Sequence, residues 1–235
     1  MIKVNALTVR YPRTATPSVS EVFLQLTEGV TALLGANGAG KTTLLRAVSG
    51  ALSPTSGRVT IDDLNPYARR ERKSALNRIA FMPQTAAVPR DLTALDFVAY
   101  LTWMRGKGRS EARSQAMQAL DAVGLAGRAE DKLKKLSGGM VRRVWFAQAL
   151  AAQAGTLLLD EPSTGLDPRQ RATMVELIRG RAKGTVLLSS HIIEDVLSLA
   201  TSVVVLREGR VVHQGPLTSE VNESWLLSLI GDPEE

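Results

Sequence analysis

Apolar and polar positions alternate along Lys3–Arg10 and Val22–Thr27, the period of half-buried strands, and Arg58–Ile61 reads as a strand after the Pro54/Gly57 turn signal. Val30–Leu34 is instead continuously apolar and runs into glycines, as expected of a strand covered on both faces. The period then changes. Ala112, Ala116, Leu120 and Val123 recur at spacings of four, four and three, which predicts a helix capped at Ser110 and stopped at Gly124. From Thr156 onward the two patterns take turns. Strands are predicted at Thr156–Leu159, Thr185–Ser189 and Ser202–Leu206, with helices at Arg169–Arg181 and Ile192–Ala200 between them. Such alternation predicts a parallel sheet covered by helices. The pattern is that of an α/β core with an antiparallel N-terminal piece and a helical insertion at about residues 85–150.

Composition narrows the chemistry. The 235 residues are 44% apolar and 22% charged, ordinary for a globular chain of one domain or two joined lobes. Cysteine is absent, which excludes disulfides, thiolate nucleophiles and Cys-ligated metal; two histidines are too few for a His-built metal site. The longest stretch without charge, Val144–Leu159, has sixteen residues and includes two glutamines. A membrane-spanning helix takes about twenty apolar residues. The N-terminal segment MIKVNALTVRYP lacks the apolar centre of a signal peptide. A cytoplasmic chain, peripheral on a membrane at most, is expected. The net charge of +6 suits an anionic partner. Two basic runs, Arg69/Arg70/Arg72/Lys73 and Lys132/Lys134/Lys135, read first as solvated faces and second as neighbours of anionic lipid.

The sharpest signal is Gly35-Ala36-Asn37-Gly38-Ala39-Gly40-Lys41-Thr42, which fits G-x-x-x-x-G-K-[ST] at every fixed position. The glycines let backbone N–H groups converge on phosphate oxygens, and the helix predicted over Lys41–Ser49 adds its positive end. Lys41 would reach the terminal phosphates of ATP, the Thr42 hydroxyl would bind Mg²⁺, and Thr43 extends the cradle. A second feature, Leu157-Leu158-Leu159-Asp160-Glu161, ends an apolar run in two acids. Asp160 fits the role of holding Mg²⁺, and Glu161, one residue on, that of a general base for an attacking water. A third, Leu136-Ser137-Gly138-Gly139-Met140, opens the helical stretch Val141–Ala151 as a second candidate phosphate cradle. Two cradles with one set of carboxylates point to a nucleotide shared between two chains.

In order and rough spacing these three segments resemble the ATP-binding-cassette (ABC) ATPases, from about Val4 to Gly215. The resemblance implies a P-loop NTPase cassette with a RecA-like parallel-sheet core, an antiparallel β subdomain and a helical subdomain. It implies one ABC domain over residues 1–235: β subdomain and P-loop core about 1–84 and 155–220, helical subdomain about 85–154, C-terminal helix about 221–231. Two cassettes, identical or related, would pair head to tail, with Ser137, Gly138 and Gly139 of one on the γ-phosphate held by Lys41 of the other. Residue by residue, Tyr11 resembles the aromatic that stacks on adenine, although Pro12 stands where glycine is usual. Gln84 resembles the glutamine that senses Mg²⁺ and water, and His191 the histidine on the γ-phosphate. Ser163-Thr164-Gly165-Leu166-Asp167 resembles the loop that crosses the dimer interface. His213 has no counterpart.

Met140 stands where the family commonly has glutamine, and Ser163 where it has threonine. Ser137–Arg143, Ala147–Leu150, Gly165–Arg171 and Ser190–Asp195 together look like the ATP-binding subunits of bacterial ABC-2-type exporters. That resemblance implies export through a separate multi-spanning membrane subunit, with Leu92–Trp103, Leu95 and Phe97 included, either part of the docking surface or packed within the helical lobe. The alternative is a soluble ABC-type ATPase acting on nucleic acid or a protein assembly. A single cassette whose insertion of about 65 residues lacks cysteine weighs against it, and no nucleic-acid partner is expected.

Overall fold

The computed structural model describes residues 1–85, 87–218 and 223–230. The chain opens with strands β1 (Ile2–Val9), β2 (Val19–Leu26) and β3 (Gly29–Leu34), then helix α1 (Lys41–Val48), strand β4 (Ser56–Ile61), helix α2 (Arg72–Asn77) and strand β5 (Ile79–Met82). Helices α3 (Ala94–Met104), α4 (Arg109–Ala122) and α5 (Gly138–Ala151) follow. The remainder alternates through β6 (Thr156–Asp160), α6 (Pro168–Arg179), β7 (Thr185–Ser189), α7 (Ile193–Leu199), β8 (Ser202–Arg207), β9 (Arg210–Pro216) and α8 (Glu223–Ile230).

Two sheets result. A three-stranded antiparallel sheet has the order β2-β1-β4, and a six-stranded sheet the order β5-β6-β7-β3-β8-β9. The larger is parallel except for the β8–β9 hairpin. Strands β6 and β7 are buried at every position, which is why both read as unbroken apolar runs. Leu157 and Leu159 face a core built with α3, α4, α5 and α6, while Leu158 between them faces a core built with α1 and the antiparallel sheet. Pairing of β1 slips twice, around Ala6 and Thr8, and Ala6 takes a left-handed φ of 46°.

Two expectations are corrected. Helix α4 starts at Arg109 with Gly108 at the cap, so Ser110 lies inside its first turn and caps nothing; the chain is already helical once it leaves Gly108. Gly124 does end this helix, at φ 70°. Leu95 and Phe97, candidates for a docking surface, are each only 4% exposed. Helix α3 turns both inward, and the Phe97 ring meets Trp145 edge-on at 5.1 Å; the exposed large apolar residues of this stretch are Leu92, Tyr100 and Trp103. Of the segment expected to be helical near the C-terminus, α8 packs Leu226 against β8, and 221, 222 and 231 lie outside the described residues.

Candidate functional site

Register sets the site. Leu33 at the end of β3 and Asp160 at the end of β6 both pair with Ser189 at the end of β7. The loop after β3, the two carboxylates and the Ser189–His191 turn therefore emerge abreast on the C-terminal edge of the parallel sheet, where open α/β folds bind ligands.

The loop from Gly35 to Gly40 is held so tightly that only glycine fits at its ends. A Cβ on Gly35 would sit 2.2 Å from the Leu206 carbonyl oxygen, and one on Gly40 2.3 Å from that of Ser18; both residues have positive φ. Gly40 is also the N-cap of α1 and supplies no side-chain cap, which leaves the first N–H groups of the helix available to an anion. Lys41 is buried, and its Nζ donates to the carbonyls of Gly35 (2.6 Å) and Ala36 (2.9 Å). Burial pushes its pKa down, and the charges of Glu161 and Asp160 oppose that shift. Asn37, Gly38, Gly40, Lys41, Thr42 and Thr43 line one cleft with Gln84, Glu161 and Ser18. Ala39 anchors the loop in the core, and the Tyr11 hydroxyl lies 3.2 Å from Thr43 Oγ1.

Asp160 is 1% exposed. Its Oδ1 accepts from Ser189 Oγ at 2.8 Å, whereas Oδ2 is buried with no hydrogen-bond partner. Burial holds this carboxyl above the usual range, with the hydroxyls of Ser189 and Thr42 acting in the opposite sense and Glu161 adding to the rise. Glu161, the next residue, has a left-handed φ of 48°, which costs a non-glycine residue roughly 1–2 kcal/mol. Its N–H donates to Ser189 Oγ (2.9 Å), and its Oε2 accepts from Gln84 Nε2 (3.0 Å) and Thr164 Oγ1 (3.3 Å). His191 Nδ1 stands 3.6 Å from the same oxygen on a largely exposed ring. Gln84, Glu161 and His191 thus meet around one carboxylate.

Sequence reasoning missed Arg142, whose guanidinium donates to the carbonyls of Gln84, Asp160, Glu161 and Pro162. A signal was present. Arg142 and Arg143 are the sole charges of helix α5, and a charge on a half-buried helix needs partners. It also missed Ser18 and Ser189, small polar residues with no motif of their own.

Ser137, Gly138 and Gly139 do not line this cleft. Ser137 caps α5 by accepting from the Met140 N–H at 3.3 Å, and Gly139 lies against the Gly165 carbonyl. In the segment after Glu161, Ser163 Oγ donates to Asp195 Oδ2 (2.9 Å), and Arg171 Nε donates to Oδ1 (2.6 Å). The buried Asp195 carboxylate thereby ties this loop to the start of α7, four residues beyond His191. Asp195→Ala strands the Ser163 hydroxyl and a guanidinium that is one-third exposed. Allowing for that exposure, the expected loss is about 2 kcal/mol. A melting temperature lower by about 4–8 °C in nucleotide-free thermal unfolding is the expected result, and an unchanged midpoint would contradict it.

Comparison with known proteins gives the family. Residues 20–164 match the family model described as ABC transporter. The methionine import ATP-binding protein MetN of Carboxydothermus hydrogenoformans is 32% identical over 96% of this chain and 69% of its own length. The linearmycin resistance ATP-binding protein LnrL of Bacillus subtilis is 34% identical over 84% of this chain and 68% of its own. Among solved structures, the dimer of MJ0796, a bacterial ABC transporter cassette, superposes with a TM-score of 0.86 at 26% identity, over 93% of this chain and 100% of that one. The same cassette in a dimeric post-hydrolysis state bound to ADP and Pi gives 0.85, also at 26% identity and with the same coverage. The fold, the phosphate-binding loop and these matches together place the chain in the ABC transporter family, as an ATP-binding ATPase cassette.

Proposed function

We propose that this chain hydrolyses ATP on behalf of a separate multi-spanning membrane subunit, from a position on the inner face of the cell membrane. The observation that carries the reading is one cleft lined by the buried Lys41, by Thr42 and by the hydrogen-bonded Glu161, with the buried Asp160 carboxylate behind it beside Thr42. ATP phosphates would replace the Gly35 and Ala36 carbonyls on Lys41 and take the free N–H groups of α1. Glu161 would accept the proton of a water attacking the γ-phosphorus as the bond to the β–γ bridging oxygen breaks. His191 and Gln84 would keep that carboxylate and the γ-phosphate in register, and Tyr11 would lie under the adenine. Among the described residues no helix is long and apolar enough to cross a membrane, consistent with a partner that does.

The donor set fits Mg²⁺. Asp160 Oδ2 is a buried oxygen without a partner, Thr42 lies beside it and Gln84 lines the same cleft. The described residues include no cluster of three or more acidic or histidine side chains, which suits an ion bound mainly by phosphate oxygens and one carboxylate. Bound there, the ion would neutralise charge on the phosphates. Because burial raises the Asp160 pKa in the folded chain, its ionised form weakens the ligand-free fold, and stability falls as pH rises through the range between the unfolded and folded values. Asp160→Asn removes that charge. At neutral pH the variant is expected to melt at or above the parent without ligand, yet to lose more than about 100-fold in Mg²⁺-dependent turnover. A lower melting temperature, or parental turnover, would count against Asp160 as the metal ligand.

We further propose one cassette over residues 1–235, paired with a second copy or a relative so that Ser137–Gly139 of each closes on the other's nucleotide. Relatives named for import and one named for resistance both match, and the export direction rests on the Ser137–Arg143 and Ser190–Asp195 patterns. Phosphate release by the purified chain, and its co-purification with a multi-spanning partner, test the function. A deletion strain hypersensitive to a toxic compound supports export; one that starves for a nutrient opposes it.

A further inference from the structure

Arg142 lies in the second turn of α5, the helix that Ser137 caps, and its guanidinium joins two loops. It reaches the Gln84 carbonyl at 3.0 Å, those of Asp160 and Pro162 at 3.3 and 3.0 Å, and that of Glu161. Gln84 follows β5, Asp160 ends β6, and Glu161 and Pro162 come directly after it, so a single side chain clamps both segments that present the Glu161–Gln84 pair. The planar fork of arginine suits donation to several carbonyls at once in a way that an ammonium does not.

The clamp lands where the backbone needs support. Glu161 holds a left-handed φ, and a non-glycine residue stays there only when its surroundings fix it. Its N–H is fixed by Ser189 and its C=O by Arg142. Helix α5 runs unbroken from its Ser137 cap through Arg142, so a displacement of the Ser137–Gly139 end is carried to the guanidinium.

We propose that Arg142 is a positioning residue that sets the Glu161 carboxylate against Gln84 and makes its placement depend on helix α5. Whatever engages Ser137–Gly139 is then felt at this chain's own carboxylate. The inference rests on the reading of Glu161 as the base, which the test separates from it.

Steady-state phosphate release is measured on the full chain for the parent, R142K, R142Q, E161Q and the double variant R142K/E161Q, alongside equilibrium binding of a fluorescent ATP analogue. R142K keeps the charge and folds in place of R142Q should the latter not fold. The expected result is a kcat lower by about 10- to 100-fold in R142K, with KM and analogue affinity within about twofold of the parent. The double variant is expected to be no slower than E161Q, because both changes act through one carboxylate. Parental kcat in R142K beside a slow E161Q would overturn the inference alone, as would a multiplied loss in the double variant or a change in KM in place of kcat. E161Q at the parental rate would overturn the base assignment and this inference with it.

Discussion

Glu161→Gln is expected to lower steady-state ATP turnover by about a hundred- to ten-thousand-fold while leaving ATP affinity within a fewfold of the parent. The substitution is nearly isosteric, so the contacts that position the side chain are largely kept: Gln84 Nε2 and Thr164 Oγ1 still find an oxygen, and the backbone remains tied to Ser189 and Arg142. What goes is the capacity to accept a proton. The carboxylate is only 12% exposed, so bulk water does not readily substitute for it. Phosphate release and equilibrium nucleotide binding on the same preparation check the result. Parental turnover would show that the base lies elsewhere.

Lys41→Ala should give the opposite signature, with affinity lost first. Its ammonium is held inside the loop by two carbonyls and is the cleft-lining cation of the phosphate cradle. Charge-assisted hydrogen bonds contribute about 1.5–3 kcal/mol each, and two lost to phosphate correspond to roughly a hundredfold or more in Kd. The Gly35 and Ala36 carbonyls also lose their partner, which loosens the loop itself. Calorimetric titration with ATP in the presence of Mg²⁺ measures the change. Tight binding retained by this variant would contradict the cradle, whatever its turnover.

These two results depend on different parts of the chain, and the parts were not equally legible. The loop Gly35–Thr42 could be read because its chemistry demands glycine and lysine at fixed offsets, and the structure shows why: Gly35 and Gly40 have backbone oxygens where a Cβ would be. Strands β6 and β7 were visible because burial on both faces leaves an unbroken apolar run. Strand β9 was not, because its residues are half or fully exposed and carry no such run. The contacts of Arg142 and Asp195 lie between 18 and 58 residues away along the chain, and no local pattern encodes them. Leu95 and Phe97 show the converse: an apolar run suits a docking surface and a core equally, and helix α3 buries both. The half of the site built by short motifs was readable, and the half built by long-range hydrogen bonds was not.

In the proposed pairing nucleotide is held between two chains, with the Lys41 cleft on one and the Ser137–Gly139 segment on the other. The most direct measurement is the solution mass of the Glu161→Gln chain by light scattering, with Mg²⁺ and either ATP or ADP. With ATP a species of twice the 25.3 kDa chain mass is expected, and with ADP a monomer. A chain that binds ATP yet stays at the monomer mass in both would contradict it.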